Sequence, residues 1–97
     1  MASVVMQTIK TISTEFQLSQ ETILQESLKV FLEKKLREIK SEIFKIYGKY
    51  SVTSVEALES CFEKGILEEK DALNDYHKLD HLEFKRDEIS KILSKLQ

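Results

Sequence analysis

His77 and His81 stand four residues apart in the run HKLDH, with Asp80 beside them. That spacing on a helix points two imidazoles at one metal ion. A zinc site needs a third protein ligand and usually a fourth, and the pair lacks the general-base glutamate of the H-E-x-x-H arrangement. Two exposed histidines flanking Leu79 and Leu82 explain the pattern more simply, so no metal and no cofactor are expected. Cys61 is the only thiol in the chain. A nucleophilic cysteine needs a base and an oxyanion site, and no spacing here supplies them. Its position on the apolar side of a short helix predicts a small buried hydrophobe. Paired carboxylates abound, as they do on any solvated face built from 17 acidic residues. With Gly48 and Gly65 the only glycines, no glycine-rich phosphate loop exists. Catalytic groups favour loops on a rigid scaffold, and this chain offers few loops, so the expectation is a protein that is not an enzyme.

Charge narrows the partners. The formal net charge of −2 gives no general attraction for nucleic acid. Lys34, Lys35, Arg37, Lys40 and Lys45 could form a basic strip, but Glu33, Glu38 and Glu42 interrupt it. A DNA-binding regulator of ribbon-helix-helix type is the alternative reading. It would need a strand through Val5, Gln7, Ile9 and Thr11, a stretch in which Lys10 is the only base. That alternation would bury Gln and Thr, which favours a helix instead. The longest apolar run, Val4-Val5-Met6, is far below the ~18 residues that span a bilayer. A lone cysteine suits a reducing compartment, so no membrane is expected and the cytoplasm is the expected location.

The elements that must position these residues are helices. The chain contains no proline, and the 97 residues suffice for one domain spanning 1–97. Val5, Ile9, Ile12 and Phe16 step by four, three and four, which predicts a first helix over about 3–16 with Ser3 as its N-cap. Ser19 caps a second. Leu28, Leu32, Leu36, Ile39, Ile43, Ile46 and Tyr50 follow a repeat close to 3.5 residues, a coiled-coil-like seam. Ile23, Leu24, Phe31, Phe44 and Tyr47 broaden it. Gly48 suits a left-handed stop, so the helix is predicted over about 20–47, roughly 42 Å long at 1.5 Å per residue. Thr53 and Glu56 have the spacing of a capping box for a short helix over about 54–64, closed by Gly65 and covered by Ile66. A last helix, about 68–96, carries Ala72, Leu79, Leu82, Ile89, Leu93 and Leu96.

The expected fold is therefore all-α, an antiparallel helical hairpin of two long helices with two shorter ones. Charge agrees with it. Residues 29–49 carry seven bases against three acids, and residues 68–83 carry six acids against two bases. Such pairs help set register, while apolar burial supplies the stability. The first helix is expected in the groove of the hairpin. Side chains such as Phe31, Phe44, Tyr47 and Phe84 exceed what one seam can cover, so a homodimer or a protein partner is expected. Asp71, Asp75, Tyr76, Asp80, Glu83 and Phe84 are the expected partner-binding residues, with charge orienting a basic partner and the aromatic rings anchoring it.

Residues 36–93 contain Lys49-Tyr50-Ser51-Val52, the short S-x-E-x-L-E run from Ser54 to Glu59, Gly65, and the acidic run from Asp75 through Glu83. In these motifs the chain resembles a group of small archaeal and bacterial helical proteins that look like the antitoxin-type partners encoded beside small ribonuclease toxins. The resemblance implies a binding protein whose acidic helix engages a basic nuclease surface. It carries over no catalytic residue.

Overall fold

The computed structural model describes residues 3–65 and 70–97, with Lys70 and Asp71 described by their backbone alone. The helices are α1 (Val4–Phe16), α2 (Gln20–Tyr50), α3 (Val55–Glu63) and α4 (Lys70–Lys95). Among the described residues there is no strand, and the fold is all-α. The segment that a DNA-binding ribbon would require is α1. Glu68 and Glu69, expected to open the last helix, and Ile66, expected to cover the end of α3, lie outside the described residues.

Serines start the first three helices. Ser3 accepts a hydrogen bond from the Met6 amide at 3.1 Å, and Ser19 accepts one from the Thr22 amide at 3.0 Å. Each thereby satisfies one of the amides that a helix N-terminus leaves without an intrahelical partner. For α3 the cap is Ser54, which accepts from the Ala57 amide at 3.1 Å, so Thr53 and Glu56 do not form the expected capping box. The end of α2 also departs from expectation. Gly48 continues the helix, and the left-handed residue is Ser51, at φ 55°. The extra turn brings Tyr50 against the core, and that packing outweighs the ~1 kcal/mol preference against glycine inside a helix. Gly65 does adopt the expected positive φ, at 69°.

Helices α2 and α4 run antiparallel and form the main interface. At one end Lys49 pairs with Asp75, and at the other the Gln25 side-chain amide donates to the Leu96 carbonyl. The core lies toward the first of these ends, where Ile43 and Ile46 of α2, Leu58 of α3, and Leu79 and Leu82 of α4 pack together. Leu58 and Leu79 are completely enclosed. The molecule is long and thin, 62 × 27 × 18 Å, with a radius of gyration of 19.9 Å. A compact chain of this length would have a radius near ~12.5 Å.

Helix α1 does not fill the hairpin groove as expected. It packs against α2 and buries Ile9, but Val5 and Phe16, on the same face, remain 67% and 69% exposed. The three-residue connection explains this. Gln17 turns at φ 55°, its amide donates to the Ser13 carbonyl, and the Leu18 amide donates to the same oxygen at 3.2 Å. Such a tight turn holds α1 beside the first turns of α2 and leaves its ends uncovered.

Candidate interaction surfaces

The six residues expected to meet a partner separate into distinct environments. Asp75 faces α2. Its Oδ2 accepts from Lys49 Nζ at 2.7 Å and from the Tyr50 hydroxyl at 2.5 Å. Those two donors hold its carboxyl below the usual carboxylate range, while the Lys49 ammonium is raised chiefly by the same bond. Asp75 is thus committed to the hairpin. Tyr76 is half-buried, donates to Glu59 Oε1 at 2.6 Å and meets the Phe62 ring edge-on at 5.6 Å. The Glu59 bond is the main reason that its phenol titrates high. Glu83 is half-buried near Arg86, at 3.8 Å, and burial pushes its carboxyl up despite that guanidinium. The Tyr47 phenol is likewise raised, first by burial and then by the Glu83 charge.

Asp80 and Phe84 do face solvent, and Phe84 is 59% exposed. They belong to a regular stripe. Leu73, His77, Asp80, Phe84 and Asp87 are all exposed and step by four, three, four and three, so they share one face of α4 turned away from α2. This face has the spacing of a second seam, with two apolar and two acidic positions. Beside it, Glu59, Phe62, Glu63, Leu73 and Tyr76 line an open cleft of about 380 Å³ between α3 and α4. For Asp71 only the backbone, in the first turn of α4, is described.

The other chemistry-bearing residues are dispersed. His77 and His81 are exposed, and His77 meets the Tyr76 ring edge-on at 5.9 Å. Among the described residues, no three His, Cys, Asp or Glu side chains gather as a metal site would require. Cys61 is half-buried rather than enclosed as expected, because the short α3 turns only Leu58 fully into the core. Lys34, Lys35, Arg37, Lys40 and Lys45 are all exposed on α2. Among the described residues, no helix is long and apolar enough to cross a membrane.

Further large apolar side chains are exposed outside the α4 stripe, and Phe31, expected to exceed what one seam can cover, is among them. Val4, Val5, Met6 and Phe16 of α1, Leu18 of the turn, and Leu24, Leu28 and Phe31 of α2 are between 40% and 77% exposed. In the sequence, Leu28 opens the predicted seam of α2 with Leu24 and Phe31 beside it, and Lys10 and Glu15 are the only charges from Ser3 through Gln20.

A family model matches residues 1–97 of this chain. The chain belongs to the Uncharacterized protein MJ0235 family. The match spans the hairpin, α3 and α1 alike, so all three belong to the family's pattern. No curated protein and no solved structure matches the chain.

Proposed function

We propose that the chain is a non-enzymatic protein-interaction module, the antitoxin-like partner of a small toxin, and that it binds through the outward stripe of α4. The reading rests on one observation. Leu73 and Phe84 alternate with Asp80 and Asp87 along an exposed helix face, and the acid-rimmed cleft of α3 and α4 adjoins it. Exposed acids steer and orient a basic partner, while aromatic and aliphatic side chains that lose water on contact hold the complex. Asp75 serves this surface indirectly by fixing α4 against α2, while Tyr76 lines the cleft and ties α4 to α3.

Co-expression with the protein encoded beside this chain tests the reading. The two are expected to co-purify. Phe84→Ser should weaken the complex about tenfold or more, and Asp80→Lys should slow association most strongly at low salt. Recovery of this chain without its neighbour at every salt concentration would overturn the proposal.

A further inference from the structure

We infer that the cleft between α3 and α4 receives an arginine side chain of the protein partner. The inference rests on the reading of this face as the partner's site and goes further by naming the group that fills the cleft. Two helix faces form its walls. Glu59, Phe62 and Glu63 share one face of α3, at i, i+3 and i+4, and Leu73 and Tyr76 share one face of α4, at i and i+3. The space between them is about 380 Å³, near the low end of the ~300–1,000 Å³ usual for ligand sites, so it suits one inserted side chain.

The charges around the cleft are of one sign. Helix α3 carries Glu56, Glu59 and Glu63 and no base. On α4, Asp80 follows Tyr76 by one turn on the same side. The nearby bases are turned elsewhere or already engaged. Lys64 steps off the face of Glu59 and Glu63, and the positions of Lys70 and Lys78 lie on the far side of Leu73 from Tyr76. Arg86 is held between Glu83 and Asp87, at 3.8 and 3.2 Å, and His77 sits on the outward stripe rather than in the lining. The acidic field reaches neighbouring groups. Beyond the Glu59 bond, the Asp80 charge also raises the Tyr76 phenol, and beyond burial the charges of Glu56, Asp87 and Asp80 raise the Glu83 carboxyl.

Two features select arginine. Among the described residues neither Glu59 nor Glu63 makes an ion pair. Glu59 Oε1 accepts from the Tyr76 hydroxyl at 2.6 Å, which holds that carboxylate beside the aromatic wall and leaves Oε2 for a second donor. The wall itself pairs Phe62 and Tyr76, with Leu73 half-exposed at its edge. An apolar side chain would strip water from two carboxylates and return no hydrogen bond, and an acidic one would be repelled. A guanidinium supplies several N–H donors in one plane, pairs with carboxylates through parallel bonds and packs on aromatic rings, while its methylene stem covers Leu73. The compact, strongly hydrated ammonium of lysine makes fewer of these contacts.

Heteronuclear NMR on the full chain, titrated with N-acetyl-arginine methylamide, tests the inference, with the citrulline and lysine counterparts as controls. The citrulline compound keeps the shape of arginine and loses its charge. Saturating shifts are expected at the amides of Glu59, Phe62, Glu63, Leu73 and Tyr76, with a dissociation constant on the order of millimolar. The citrulline compound should bind about tenfold more weakly, and the lysine compound about threefold. Glu59→Gln and Glu63→Gln alter exposed side chains and keep their shape, so unchanged signals from Leu58 and Leu79 establish the fold, and each should weaken arginine binding about threefold or more. Absence of shifts at these amides would overturn the inference. So would citrulline or lysine compounds that bind as well as arginine, or binding that both variants leave intact. The readout requires no second protein. A neighbour that co-purifies while the arginine compound stays unbound removes this inference alone, and arginine binding without a co-purifying neighbour removes only the function proposed above.

Discussion

Asp75 is the residue at which charge and packing meet. Its carboxylate joins two donors from the last turn of α2, Lys49 and Tyr50, to the first half of α4, and Tyr50 itself packs against the core. The bond to Lys49, then the one to Tyr50, lowers its pKa below the ordinary value of 3.8. A carboxyl whose pKa is lower in the folded state contributes stability above its unfolded pKa, and that contribution disappears as pH falls through the folded value. Asp75→Asn should therefore reduce the urea midpoint at neutral pH, and the difference from wild type should vanish in acid well below about pH 4. Glu83 acts with the opposite sign. Burial raises its pKa above 4.5, so its protonated form fits the fold better and stability is lost as pH rises through the raised value. Glu83→Gln should accordingly raise the urea midpoint at neutral pH and leave it unchanged in acid. A destabilised Glu83→Gln at neutral pH would mean that the 3.8 Å contact with Arg86 outweighs desolvation.

At the scale of elements, much of the architecture was legible because hydrophobic period and serine caps are local properties. The steps of three and four that predicted α1, the seams of α2 and α4, and the capping roles of Ser3 and Ser19 are each written within one turn or one stripe. The misplaced details depend on contacts between elements. Gly48 reads as a stop until Tyr50 is seen to reach Asp75, and no local pattern shows that α2 and α3 supply hydrogen-bond partners to Asp75 and Tyr76. No local pattern shows that α1 leaves Phe16 uncovered, since the turn at Gln17 decides it. The Gly48 case yields a test. A Cβ added there meets nothing within 4 Å, and the residue keeps helical backbone geometry. Gly48→Ala should stabilise the protein by about 0.5–1 kcal/mol in urea titration, through higher helix propensity and a less flexible unfolded chain. Ser51→Gly should act in the same direction, because Ser51 holds the left-handed conformation at φ 55°, which disfavours side chains by ~1 kcal/mol. Gly65→Ala should do the reverse, since Gly65 sits at φ 69°.

Over the whole molecule, stability is distributed unevenly along the 62 Å axis. Ile43, Ile46, Leu58, Leu79 and Leu82 form one cluster toward the α3 end, whereas α1 encloses Ile9 alone. Elements with few buried contacts open at lower free energy than the core around which the chain folds. Amide hydrogen exchange on dilute protein should therefore grade along the axis. Amides near Ile43–Tyr47 and Leu79–Leu82 should exchange only through global unfolding, and those of α1 through local opening. Leu58 is fully enclosed, so Leu58→Ala should cost about 2–5 kcal/mol and lower protection in every helix together. Ile9→Ala should release α1 and leave the cluster untouched. Uniform protection from α1 to α4 in dilute solution would contradict this gradient.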